Sequence, residues 1–124
     1  MDAGGALAVE LPRVPEAPGM ARRRLARSFG EALDEDQLRT AALLTSELVT
    51  NALLHGEGSI TLRANLDEVR LLVEVIDEGH GLHPAERRRD RHRVGGYGLR
   101  IVDREASHWG TREGTTHVWF ELAR

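Results

Sequence analysis

Hydrophobic positions change their period several times along the chain, and each change predicts an element. Ala6 to Leu11 is a short apolar run closed by Pro12, the signature of an edge strand. Pro12, Pro15 and Pro18 then form a stiff connector. From Met20 to Leu33 the residues Ala21, Leu25, Phe29 and Leu33 recur every four positions, a helical stripe with arginines opposite. Asp34 with Gln37 three residues later makes a capping box, and Glu35 and Asp36 place negative charge in the first turn of the next helix. That helix is expected to stop at Gly56.

Beyond Gly56 the period falls to two. Ile60, Leu62, Ala64 and Leu66 alternate with Thr61, Arg63 and Asn65; Asp67-Glu68 turns the chain; Val69, Leu71, Val73 and Val75 continue the same inward face. Residues His83 to Val94 are polar and basic, without period. Gly98 to Ala106 reads as a short helix with Leu99, Val102 and Ala106 inward. A hairpin then runs from Ser107 to Arg112, through Glu113-Gly114, to Thr115–Leu122. The sum is a layer of helices on one face of a mostly antiparallel sheet.

At 124 residues the chain is expected to be one domain, 1–124, that buries roughly two-thirds of its unfolded surface without staples. The absence of cysteine fits a reducing, cytoplasmic setting. The start lacks the basic and apolar pattern of a secretory leader, and no run reaches the ~20 apolar residues that span a bilayer, so a soluble protein with no membrane role is expected. A formal net charge of -3 argues against direct nucleic-acid binding through global basicity. All 17 basic residues are arginine. Without lysine, neither a Walker-A phosphate loop nor Schiff-base chemistry is available.

The helix after Asp34 carries the first candidate chemistry. Glu47, Asn51 and His55 fall at i, i+4 and i+8 and share one stripe. Leucines on their own side, Leu43, Leu44 and Leu54, and apolar residues on the other predict a helix buried nearly all round. A carboxylate among leucines is costly unless it is paired or metal-linked, so Glu47 and Asn51 are read as lining a cleft. The carboxamide oxygen of Asn51 suits Mg²⁺, and Glu47 is placed to deprotonate a hydroxyl or orient a water. His55 has two readings: a structural hydrogen bond, or a phosphate contact.

Asp77 is in phase with Val73 and Val75 and falls on the buried face at the strand end. There it serves either as an acceptor for an exocyclic amine of adenine or as the start of an ordinary acidic turn. Gly79 and Gly81 let the backbone turn and a flat ligand approach. Gly95, Gly96, Tyr97 and Gly98 open the helix beginning near Leu99, and free amides at a helix start suit an anion. Arg93 and Arg100 are the arginines placed to meet a phosphate. In the last strand Thr116 is in phase with Val118, Phe120 and Leu122, so its hydroxyl is expected inward, near the base.

Taken in order, these segments resemble the GHKL ATPase superfamily. Glu47-Leu-Val-Thr-Asn51-Ala-Leu-Leu-His55 is similar to its N-box, Asp77-Glu-Gly79-His-Gly81 to its G1 box, Gly96-Tyr-Gly98-Leu99 to its G2 box, and Gly114-Thr-Thr116 to its terminal element. The wording Ser46-Glu-Leu-Val-Thr-Asn51-Ala and the short lid are most similar to the small anti-sigma-factor serine/threonine kinases of actinobacterial type. The resemblance covers Leu11 to Leu122. It implies an α/β (α+β) two-layer sandwich of Bergerat type, with a mostly antiparallel mixed sheet, binding ATP with Mg²⁺. By matching position Asn51 would hold the metal, Glu47 would be the general base and Asp77 would read adenine, with Gly79, Gly81, Gly96 and Gly98 shaping pocket and lid. The implied activity is phosphorylation of an anti-anti-sigma (STAS-type) partner, with a sigma factor as the second partner; the resemblance also admits a homodimer.

Two other readings compete. One is an ATP-binding interaction module that has lost catalysis and controls a transcription-regulatory partner. The other, a detached histidine-kinase catalytic domain, fits less well, because the chain has no room for a phosphoacceptor helical hairpin.

Overall fold

The computed structural model describes residues 5–79, 99–111 and 117–124. Strand β1 (Gly5–Leu11) is followed by helices α1 (Ala17–Phe29) and α2 (Glu35–His55), strands β2 (Ile60–Leu66) and β3 (Arg70–Ile76), helix α3 (Leu99–Glu105), and strands β4 (His108–Thr111) and β5 (Val118–Ala123). The five strands form one sheet in the order β1-β2-β3-β5-β4, with β1 at an edge as its closing proline requires. Every ladder among the described residues is antiparallel, so the antiparallel majority expected from the alternation is the whole of it. Both helical stripes meet the same sheet face. Helix α1 packs on α2 and β1, while α2 crosses β2, β3 and β5 and meets α3. The architecture is the two-layer α/β sandwich anticipated.

The core follows from period matching. Ala21, Leu25 and Phe29 of α1 are fully buried, as are Ala41, Leu44, Leu48 and Val49 of α2. Opposite them stand Ile60, Leu62, Ala64, Leu71, Val73, Val75 and Phe120 from alternate strand positions. Helix α3 is held by the buried Val102 and by the Trp109 indole N–H, which donates to Asp103 Oδ1 at 2.8 Å. Alternation turns Glu74 to the opposite sheet face. There its carboxylate meets His117 Nε2 at 2.7 Å and Arg63 Nη2 at 3.5 Å. No helix among the described residues is long and apolar enough to cross a membrane.

Four local expectations change. Helix α1 begins at Ala17, so Pro18 lies in its first turn, where a missing N–H costs nothing. The same helix ends at Phe29, and the buried Leu33 sits in the following turn, where its N–H bonds to the Phe29 carbonyl. Val69 is 67% exposed. It belongs to the β2–β3 turn, where the Asp67 carboxylate accepts from the Val69 and Arg70 N–H groups. Finally, α2 is not buried all round: Leu43 and Leu54 are 43% and 66% exposed. One stripe of α2 packs on the sheet, while Leu43 and Leu54 are exposed on another face and Glu47 there is half-buried.

Candidate functional site

The capping box that starts α2 is formed as expected: Asp34 Oδ1 accepts from the Gln37 N–H at 2.7 Å and Gln37 Oε1 accepts from the Asp34 N–H at 3.0 Å. From this fixed start the helical period sets the phase of everything that follows. Leu44, Leu48 and Ala52 point to the sheet, which leaves Glu47 and Asn51 half-buried on the flank and His55 exposed in the last turn. The hydroxyl of Ser46, one residue before Glu47, accepts from Arg22 Nη1 at 2.8 Å, so α1 steadies this part of α2.

Helix α2 stops at Gly56, but not in the left-handed conformation usual for a C-terminal glycine. Gly56 is extended, and the left-handed residue is Gly58, with φ 68. Glycine is required at 56 for space: a Cβ there would overlap the Asp77 carboxylate and come within 2.7 Å of the Ala52 carbonyl. At 58 glycine answers both the positive φ and the close approach of the Glu78 side chain.

The segment after α2 is laced to the end of β3. The Glu78 N–H donates to the Glu57 carbonyl at 2.8 Å, and both the backbone N–H and the hydroxyl of Ser59 donate to the Glu78 carboxylate. These contacts hold Asp77 directly beside the last turn of α2. Asn51 therefore lies roughly 7 Å of helix rise before the residue that touches Asp77, and Glu47 about one turn further.

Asp77 is only 8% exposed, which agrees with the phase of its strand. Burial pushes its carboxyl above the ordinary value of 3.8. The N–H groups of Gly79 and Glu57 and the charge of Arg13 pull the other way, while the charge of Glu57 adds to the rise. The Gly79 N–H donates to Asp77 Oδ1 at 2.7 Å, so the glycine after the strand shapes the carboxylate as well as the turn. Glu78, on the exposed side, is held below its ordinary range by the Ser59 N–H and hydroxyl.

One contributor escaped the sequence reading. Arg13, between β1 and α1, donates from Nε to the Gly58 carbonyl at 2.8 Å and from Nη1 to the Ala52 and Leu53 carbonyls at 2.9 Å each. These partners lie 39 to 45 residues away, so no local pattern marks Arg13. Its only signal is a lone arginine inside a proline connector.

The structure therefore sets Asp77 and Gly79 beside the last turn of the helix that carries Glu47, Asn51 and His55. Leu99 opens α3. Gly81, Gly95, Gly96, Tyr97, Gly98 and Thr116 lie outside the described residues, as does Arg93. No group of three or more His, Asp or Glu suited to hold a metal occurs among the described residues. Asn51 and Glu47 still form a carboxamide and a carboxylate one turn apart on an open helix flank. That hard-oxygen pair fits Mg²⁺ retaining most of its waters.

Comparison with known proteins bears on the family and the fold. The anti-sigma F factor of Clostridium acetobutylicum is 35% identical over 66 residues, which is 48% of this chain and 46% of that protein. The anti-sigma F factor of Thermoanaerobacter pseudethanolicus is 32% identical over 71 residues, 52% of this chain and 50% of that protein. The chain thus spans about half the length of the curated relatives it matches. A crystal structure of the RsbU and RsbW domains of a Mycobacterium tuberculosis protein superposes with a TM-score of 0.70 at 21% identity, over 97% of this chain and 31% of that one, which shows the shared fold. The model of the histidine kinase-like ATPase domain matches residues 11–122, nearly the whole chain, and the chain belongs to that family.

Proposed function

We propose that this protein is a Mg-ATP-binding regulatory kinase that phosphorylates a serine or threonine of an anti-anti-sigma partner of STAS type and, when that partner is phosphorylated, holds a sigma factor. The observation that carries the reading is the placement of Asp77. A buried carboxylate ends an apolar strand and is pressed against the last turn of the helix that bears Glu47 and Asn51.

Each residue has a defined task. Asp77 accepts the exocyclic N–H of adenine beside the N–H groups of Gly79 and Glu57. The Gly79 N–H fixes the direction of that carboxylate. Asn51 would hold Mg²⁺ through its amide oxygen. Glu47, one turn earlier, takes the proton from the partner's hydroxyl as it attacks, and its half-burial keeps it reachable. Bound ATP would supply the γ-phosphoryl group, with ADP as the leaving group, and Mg²⁺ would neutralise charge on the phosphates, so catalysis would consist mainly of positioning. His55, exposed in the last turn of α2 and so at the Asp77 end of the helix, is given no phosphate role. The glycines 81, 95, 96 and 98, with Tyr97, Leu99 and Thr116, are assigned to the lid and the base surroundings.

The anti-sigma F factors named above support the partner class, and the family supports the nucleotide. The test is phosphoryl transfer. Incubation of the protein with γ-labelled ATP, Mg²⁺ and STAS-type proteins of the same organism should label one of them on serine or threonine. Labelling of none would remove the kinase assignment.

A further inference from the structure

Arg13 is placed where a helix cap alone would not need it. Its guanidinium spans two features at once: the terminal carbonyls of α2 at Ala52 and Leu53, and the Gly58 carbonyl in the connection to β2. A cation at a helix C-terminus is favourable in itself. The second reach adds something else, because the connection between these anchors contains Gly56, which makes room for Asp77, and Glu57, whose N–H donates to Asp77. Glu57 also accepts from the Glu78 N–H through its carbonyl. Arg13 thus grips both ends of the short segment that cradles the carboxylate. Its third nitrogen, Nη2, is fully buried with no hydrogen-bond partner among the described residues. A buried unmatched donor is a cost that a plain cap, such as a lysine lying along the surface, would avoid. The charge of Arg13 also favours the ionised forms of Asp77 and Glu78.

We propose that Arg13 is a positioning residue for base recognition, aiming the Asp77 carboxylate by clamping residues 56–59 onto the last turn of α2. The proposal rests on the reading of Asp77 as the adenine contact. It makes Arg13 a determinant of base selectivity although it lies in the β1–α1 connector and touches no base. A correctly aimed, ionised carboxylate accepts the 6-amino group of adenine and repels the 6-oxo group of hypoxanthine. The ratio of ATP to ITP affinity therefore reports its aim.

The experiment is calorimetric titration of the full chain with ATP and with ITP, in wild type, R13Q and R13K, beside a thermal melt of each. Wild type is expected to prefer ATP by tenfold or more. R13Q, which loses the charge and the fork, should bring the ratio to within about threefold of unity. R13K keeps the charge but cannot span both anchors, and should lose at least half of the preference on a logarithmic scale. A merely structural role would lower the melting temperature and weaken both nucleotides equally, leaving the ratio intact. Variants that melt cooperatively and keep the wild-type ratio would overturn the proposal. Loss of a cooperative melt in both variants would overturn it too, by making Arg13 a determinant of the fold. Wild type that binds neither nucleotide, or both equally, would instead overturn the Asp77 reading on which the proposal stands.

Discussion

Gly56 and Asp77 share one space: the side-chain carbon that Gly56 lacks would overlap Oδ2 of Asp77. The helix that carries Glu47 and Asn51 therefore ends where it does, without a Cβ, so that a carboxylate from another element can sit against its last turn. Substitution of Gly56 by alanine should displace Asp77 and strain the Ala52 carbonyl, costing about 1–3 kcal/mol of stability as overpacking does. ATP affinity should fall at least tenfold in the same variant. Urea unfolding and nucleotide titration measure the two effects; a G56A protein with both unchanged would break the relationship.

Asp77→Asn should separate binding from folding. The variant loses a charged acceptor for the base amine, and a hydrogen bond of that kind contributes about 1.5–3 kcal/mol, roughly tenfold or more in affinity. The fold should not suffer, because burial already disfavours the Asp77 charge. The sign of the pH dependence follows. The folded carboxyl titrates above the unfolded value of 3.8, so between those two points the native state binds more protons. Stability falls as pH rises through that window and stays lower above it. D77N lacks this slope, so its stability relative to wild type should grow across the window and then level off. Asp67 and Glu78 act oppositely: their lowered values give stability that is present above their ordinary values of 3.8 and 4.5 and lost on acidification. Those contributions are common to both proteins and cancel in the comparison. Paired urea titrations from pH 3 to 7 measure the difference; a difference that shrinks with rising pH would contradict the assignment.

Glu47 and Asn51 should fail in different ways. E47A should keep nucleotide affinity within about twofold and lose transfer by ~10²–10⁴-fold, the usual contribution of a general base. N51A should bind nucleotide with the same affinity in Mg²⁺ and in EDTA. Full transfer in E47A, or a surviving metal dependence in N51A, would place these roles elsewhere.

Thr45 makes a separate forecast about the core. It is fully buried on the sheet-facing stripe of α2, and its hydroxyl has no hydrogen-bond partner among the described residues. Valine keeps the branched shape and removes the unmatched polar group. T45V should raise stability by about 1–2 kcal/mol, with ATP binding unaltered. Destabilisation by valine would mean that the hydroxyl is satisfied in solution.

Much of this was legible because local rules were sufficient. The Asp34–Gln37 box and the four-residue spacing of Glu47, Asn51 and His55 depend on neighbours within one or two turns. The inward phase of Asp77 follows from period two and the apolar residues before it. What escaped depends on contacts that sequence neighbours do not encode. Leu43 and Leu54 look like core because periodicity does not reveal what lies opposite a helix face. Val69 looks like strand because Asp67, by accepting two N–H groups, ends the ladder one residue earlier than the hydrophobic pattern suggests. The reach of Arg13 to Ala52, Leu53 and Gly58 exists only once β1 and α2 are side by side. Gly56 sits where a helix-terminating glycine was expected, for a different reason: room for Asp77 in place of a left-handed turn.

The central claim is that Asp77, Asn51 and Glu47 form one Mg-ATP pocket. Calorimetric titration of the purified protein with ATP, in Mg²⁺ and in EDTA, tests it most directly. The expected result is saturable binding that strengthens with Mg²⁺ and is lost in D77N. Absence of binding at millimolar nucleotide would contradict the account and leave an interaction module without its ligand.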